Sequence, residues 1–278
     1  FIVAIIDGYY QYFVGNSIFG FVSNSANRLT LPFNDKMILG GYLSRLFPFL
    51  FALIIYNFSK EKKYVVLIFI LLILVDCLIF LTGERTALAL LFLSTVIMLL
   101  ITSKFKLLRT ITLVISIIVV TFFSLTNNSI KQRNIDYTLT QLSGYSNTLT
   151  YFSFNHESLA IAAVNIYKDN KIFGAGPKQF RVLCDNYVEE GSNLFCSTHP
   201  HNSYLQLLSE TGTIGVLFII IPFIYLVYLF ICHLINKING REAKLSDYQI
   251  YLLISIFLSL WPIIPSQSFF NNWINIIY

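Results

Sequence analysis

The chain has 278 residues, 56% of them hydrophobic and only 12% charged, with a mean hydropathy of +0.68. Soluble domains carry roughly 25% charged residues, so the 19 basic and 14 acidic side chains here are too few to clothe a water-facing surface, and a soluble globular fold is excluded. The formal net charge of +5 does not point to nucleic acid, because the basic residues lie between apolar segments rather than on one polar face.

In chain order, Phe1 to Ile6 is apolar but lacks a starting Met or a charged leader, so it reads as neither a signal peptide nor a complete first helix. The expectation is a fragment whose upstream helices are missing. Six candidate membrane spans follow: about Met37 to Tyr56, Tyr64 to Leu81, Thr86 to Thr102, Thr110 to Leu125, Thr213 to Cys232, and Tyr248 to about Pro265. Alternate connections hold Lys60, Lys62 and Lys63, then Lys104, Lys106 and Arg109, then Lys237, Arg241 and Lys244, which places those connections inside. Alternation then puts outside the turn Thr82-Gly83-Glu84-Arg85, the long segment from Thr126 to Thr211, and the tail after Pro265. Lys131, Arg133, Lys168, Lys171, Lys178 and Arg181 in the long segment do not overturn this, since long loops translocate largely regardless of charge.

The expected fold is therefore all-α, a polytopic transmembrane helix bundle with a long periplasmic loop containing a short helix. Residues 1–36 form an outer-face segment, 37–125 four transmembrane helices, 126–212 the periplasmic loop, and 213–278 two transmembrane helices and an outer-face tail. Within the loop, His156 to Tyr167 has helical apolar spacing, with Asn155 available as a cap. Gly174-Ala175-Gly176-Pro177 reads as a turn. Cys77 and Cys232 lie in apolar spans as small hydrophobes. Cys184 and Cys196 share the outer segment, where an oxidising compartment allows either a disulfide or two free thiols. A bond would be worth about 3 kcal/mol by loop entropy and would tether the stretch before His199 and His201.

The polar residues that stand out are few. Arg85 follows Asp76, Thr82, Gly83 and Glu84, and is either one member of an ion pair with Glu84 and Asp76, a snorkelling cation, or an anion clamp. Arg181, behind the Gly176-Pro177 turn, is a surface cation or a second clamp, since guanidinium forks match phosphate oxygens in pairs. Arg45 and Arg133 are weaker candidates of that kind. His201 is either polar loop surface or a base, since its side chain is suited to take a proton from a hydroxyl. With Asn202 beside it and a helix starting just after, it is expected to stand near free backbone N–H groups that favour an anion. His199 and His201 with Asp185, Glu189 or Glu190 match no metal-binding spacing. Glu210 either holds His201 or a basic residue, or is a solvated helix-end charge. Gly212 and Gly215 have the spacing of close helix packing. Asp-x-Asp, nucleotide-binding and zinc motifs are lacking.

The run His201-Asn202, nine residues, Gly212-Thr213-Ile214-Gly215, joined to Thr82-Gly83-Glu84-Arg85-Thr86-Ala87-Leu88, resembles the O-antigen ligase and O-antigen polymerase family of bacterial inner-membrane glycosyltransferases. Leu31-Pro32-Phe33-Asn34-Asp35, Gly40-Gly41-Tyr42-Leu43-Ser44-Arg45, Gly174-Ala175-Gly176-Pro177 and Pro265-Ser266-Gln267-Ser268-Phe269-Phe270-Asn271-Asn272-Trp273 are similar to it as well. Two positions depart from the pattern: Ala89 stands four residues after Arg85 where the family often has Leu, and Phe218 stands where a small residue often follows Gly215. The resemblance implies transfer of a glycan from an undecaprenyl diphosphate carrier to an acceptor hydroxyl at the periplasmic face, with inversion and with no metal or cofactor. The acceptor is lipid A core in a ligase and another carrier-linked repeat unit in a polymerase. Carried over by motif, His201 is the catalytic base, Arg85 binds the diphosphate and Arg181 is a second diphosphate ligand, with Asn202, Glu210, Gly212 and Gly215 in support. Donor, acceptor and membrane lipids are then the partners, and nucleic acid is not. A transporter or flippase for a lipid-linked sugar is the rival, which calls for charge inside the spans and for repeat symmetry; the sequence reading finds neither.

Overall fold

The computed structural model describes residues 1–21, 29–30, 33, 38–58, 62–126, 154–187, 196–242 and 244–270. Lys60, Lys131, Arg133, Glu189, Glu190 and the motif residues Leu31, Pro32, Asn34, Asp35, Asn271, Asn272 and Trp273 lie outside them. The helices are α1 (Ile2–Val14), α2 (Leu39–Phe58), α3 (Val65–Leu81), α4 (Arg85–Ile101), α5 (Lys106–Thr126), α6 (Phe154–Asp169), α7 (Phe180–Leu183), α8 (Ser203–Ile238) and α9 (Asp247–Ser259). Among the described residues there is no β-strand. The chain divides into two compact units, Phe1–Leu139 with Phe230–Leu258, and Thr140–Leu229 with Ser259–Tyr278.

In the first unit the usual amphipathic pattern is inverted on α1 and α5. On α5 the buried stripe is polar, with Arg109, Thr112 and Ser116, while Leu107, Ile111, Val114, Ile117, Ile118 and Phe122 are exposed. On α1, Asp7 and Gln11 are buried and Ile2, Val3, Ile6 and Phe13 are exposed. Water would reject such faces, whereas hydrocarbon accepts them provided the inward polar groups find partners. On α1, Asp7 accepts from Ser17 Oγ at 2.9 Å and from the Ile18 amide at 2.7 Å, and Gln11 Oε1 accepts from the Thr30 amide at 3.0 Å. Among the described residues, two helices, α2 and α8, are long and apolar enough to cross a membrane, and α3, α4 and α9 are shorter apolar helices.

Arg109 corrects the sequence reading. It is not a loop cation but a residue in the first turn of α5, 1% exposed, whose Nη1 donates to Asp76 Oδ2 of α3 at 2.6 Å. Its Nε and Nη2 reach Thr95 Oγ1 of α4 at 3.1 and 2.6 Å, and the Phe47 ring of α2 lies 4.6 Å from the guanidinium carbon. Ser116 Oγ also donates to Asp76 Oδ2, at 3.0 Å. Charge therefore does occur inside the apolar helices. Asp76, read as an outer-mouth partner for Arg85, belongs instead to this four-helix junction.

Hydrogen bonds at the helix ends tie the turns of this unit together. Glu84 accepts from the amides of Gly40 at 2.7 Å and Gly41 at 2.9 Å, so the Thr82–Arg85 turn caps the start of α2 with a carboxylate. Gly40 is needed there, because a Cβ would stand 2.4 Å from Thr82 Oγ1. Elsewhere in the unit, Lys237 Nζ donates to the last carbonyls of α4, Ile101 and Thr102, both at 2.7 Å, and Asp247 accepts from the Ser103 and Lys104 amides. The Lys104 and Lys237 connections thus meet.

Helix limits differ from the expected spans in several places: α5 starts at Lys106 rather than Thr110, and α8 runs from Ser203 to Ile238 rather than from Thr213 to Cys232. α1 occupies part of a stretch read as an outer-face segment without a complete helix, and α9 stops at Ser259, before Pro262 and Pro265, rather than running to Pro265. α6 begins at Phe154, so Asn155 lies inside its first turn instead of capping it.

Candidate functional site

The second unit is built on α6. Its spacing of Leu159, Ala162, Ala163 and Ile166 makes one buried stripe that packs with Phe180 and Cys184. Cys184 and Cys196 are disulfide-bonded, with Cα atoms 5.9 Å apart, which fastens the segment leading to His199 onto this small core.

α8 is broken at Gly212, whose φ of 67° and ψ of −163° are not helical. A broken helix leaves carbonyls without partners before the break and amides without partners after it. One loop answers both. The Ala175 and Gly176 amides donate to the carbonyls of Ser209 and Glu210 at 2.9 Å, and the Thr213 and Ile214 amides donate to Lys171 and Ile172 at 2.8 and 3.3 Å. The backbones come so close that a Cβ on Gly174 would sit 2.3 Å from the Glu210 carbonyl carbon, and one on Gly212 would sit 2.4 Å from the Ile172 oxygen. Gly215 leaves room for Thr211 of its own helix. At Gly212 the helix-to-helix packing expected of it is replaced by a loop seated on a helix break.

Glu210 is fully buried and neither holds His201 nor lies in water. Its Oε1 accepts from the Phe180 amide and its Oε2 from Gln206 Nε2, each at 3.0 Å. It therefore anchors the start of α7, the helix that carries the exposed Arg181. Gln206 in turn donates to Ser268 Oγ at 3.1 Å and accepts from the Phe269 amide at 2.7 Å.

The tail after α9 reaches the histidine loop. The Ser266 amide donates to the His201 carbonyl at 2.7 Å, Ser203 and Ser266 share a hydroxyl bond at 2.8 Å, and Asn202 Nδ2 donates to the Pro262 carbonyl at 2.7 Å. Asn202 Oδ1 accepts from the Tyr204 and Leu205 amides at 3.0 and 3.1 Å, the N-cap arrangement. The free helix N–H groups expected beside His201 are thus partly used by Asn202 itself.

His201 is held in the left-handed backbone region, φ 53°, uncommon outside glycine and more frequent at functional positions. Its ring centroid lies 4.2 Å from that of His199 and 5.7 Å from that of His156, and Ser197 Oγ is 3.4 Å from its Nε2. His156 and Ala160 of α6, Pro200, His201 and Asn202, and Ile263 and Pro265 of the tail line a cavity of about 60 Å³. That holds a water or a hydroxyl group and is too small for a sugar ring. Burial pushes the His201 imidazole below its ordinary value, helped by charge at His156. His199 is driven down to about 4, first by burial, then by His201, with the Ser266 backbone opposing and Arg181 adding a small repulsion. Among the described residues no three His, Cys, Asp or Glu side chains converge as a metal site.

The second unit therefore contains His201, His199, Asn202, Glu210, Gly212 and the short helix α7 that bears Arg181. Arg85, exposed at the first residue of α4, belongs to the first unit. His156, Gln206, Ser266 and Ser268 were not among the residues expected at the site, although Ser266 and Ser268 fall in a motif. A family model described as O-antigen ligase matches residues 69–220, more than half of the chain. No curated protein and no solved structure matches.

Proposed function

Because the chain belongs to the O-antigen ligase family, membrane-bound enzymes of glycosyltransferase type, we propose that it moves a glycan from undecaprenyl diphosphate to an acceptor hydroxyl of lipid A core, at the periplasmic face of the bacterial inner membrane. The supporting observation is His201, a half-buried imidazole held below its ordinary pKa, beside a cavity of hydroxyl size. At neutral pH it is uncharged and can accept a proton.

In the proposed reaction His201 removes the acceptor hydroxyl proton, the acceptor oxygen attacks the anomeric carbon from the face opposite the diphosphate, and the carbon–oxygen bond to the diphosphate breaks. Undecaprenyl diphosphate leaves with the bonding electrons, and the glycan is inverted. Arg85 meets the growing negative charge, with Arg181 as a second ligand. Arg85 opens α4, where the helix dipole offers a cation no stabilisation and an anion some. Its placement therefore favours an anion-binding role over a helix-stabilising one. A multi-pass arrangement is supported by the apolar outward faces of α1 and α5 and by the Lys237 and Asp247 links, which join two of the connections assigned to the cytoplasm.

The test is reconstitution of the purified protein in liposomes with carrier-linked glycan and either lipid A core or a second carrier-linked unit. Ligation predicts glycan on lipid A core, with undecaprenyl diphosphate released in equal amount. A lengthened carrier-linked glycan would make the protein a polymerase, and intact donor moved across the bilayer without bond breakage would make it a transporter. In the same assay Arg85→Lys is expected to lower kcat about 10²-fold, because a point charge replaces a bidentate fork in stabilising transition-state charge. Unchanged kinetics would assign Arg85 to structure.

A further inference from the structure

α6 carries a residue that its packing does not require. Its buried stripe, Leu159, Ala163 and Ile166, extends back by helical spacing to His156, a position where an apolar side chain would complete the core. Instead there is a half-buried imidazole whose ring meets the His201 ring edge to face, with centroids 5.7 Å apart and planes at 86°. One turn on, Ala160 is small enough to leave the cavity open between them. No motif assigned from the sequence includes His156.

We propose that His156 is a positioning residue for glycan transfer, holding the His201 imidazole at the mouth of the cavity from α6. The inference rests on the reading of His201 as the base. His201 sits on a loop, with a left-handed backbone fixed by the Ser266 amide, and among the described residues its side chain makes one polar approach, 3.4 Å from Ser197 Oγ. Aromatic contacts fix its plane: the His199 ring packs against it at 4.2 Å, tilted by 57°, from the same loop, and His156 closes the edge from a helix. The titratable and charged groups facing this pair are His199 beside His201, and Arg181 of α7, whose charge reaches His199. Of the other cavity-lining residues, Asn202 is polar and uncharged, and Ala160, Pro200, Leu205, Ile263 and Pro265 are apolar. An imidazolium at position 156 would repel one at 201, so His156 also works against a second charge on the base.

Two substitutions separate positioning from filling of space. His156→Ala removes ring and charge, and its kcat is expected to fall about 10²-fold, the scale of a catalytic group left slightly out of place, with KM for the carrier-linked glycan unchanged. Loss of the charge at His156 and freer solvent both raise the His201 pKa, so the acid limb of the kcat–pH profile moves to higher pH. His156→Phe keeps the ring and the burial, so it should recover most of kcat while leaving the limb displaced upward. If His156→Ala transfers glycan at the normal rate, or if His156→Phe restores rate and acid limb together, His156 is core filling and the proposal is wrong. Should the alanine variant fail to fold, the phenylalanine variant decides alone by its pH profile. Activity retained on His201→Ala would instead overturn the parent reading; loss there with unaffected His156 variants would overturn only this one.

Discussion

Replacing His201 with alanine is expected to lower glycan transfer by about 10²–10⁴-fold, the usual contribution of a positioned general base, with membrane insertion and donor binding intact. Because residue 201 has φ 53°, the alanine carries backbone strain as well as a missing imidazole. His201→Asn controls for this, since asparagine tolerates the left-handed region but cannot take the proton. Both variants should be equally inactive, and normal transfer by the asparagine form would remove His201 from the chemistry. The pH dependence follows from the direction of the shift. A base held below its ordinary value is deprotonated down to a lower pH, so the acid limb of kcat in the unmodified protein should lie below pH ~6.5, the unperturbed histidine value. A limb at or above that value would contradict a buried, neutral base.

Much of the helical pattern was legible because long apolar runs admit few other structures. α2 to α5 fall within a few residues of the spans read from hydropathy. α1 was not, because its polar stripe, Asp7 and Gln11, faces inward and bonds to Ser17 and Thr30, partners that no local pattern reveals. Arg109 was misread for a similar reason: a cation near the end of an apolar run looks like a loop residue until Asp76, 33 positions away in sequence, is found at 2.6 Å. At the candidate site, spacing identified Gly212 but not its task, since the Ile172 carbonyl that excludes a Cβ comes from another part of the chain. A related limit applies to Gln206 and the Ser266–Phe269 tail, whose mutual hydrogen bonds span about 60 residues. His156 was hidden in plain helical spacing, and the one available signal was a titratable residue on an otherwise apolar stripe.

Asp76 and Arg109 should be the most sensitive pair for stability, and the two single substitutions should not be equal. Both side chains are almost fully buried, at 3% and 1% exposure, and share one short hydrogen bond. Removing one member of such a pair typically costs about 3–5 kcal/mol, because the survivor is left charged in a poorly solvating interior. A stranded carboxylate can escape by accepting a proton, but a stranded guanidinium cannot shed one. Asp76→Ala is therefore expected to destabilise the protein more than Arg109→Ala, and the double replacement should be less damaging than the sum of the singles. Thermal unfolding in detergent, followed by loss of the monodisperse size-exclusion peak, measures the order. Equal single effects that add in the double variant would mean that the charges do not depend on each other. In that case Thr95, Ser116 and the Phe47 ring, rather than the ion pair, would be what holds α2, α3, α4 and α5 together at this junction.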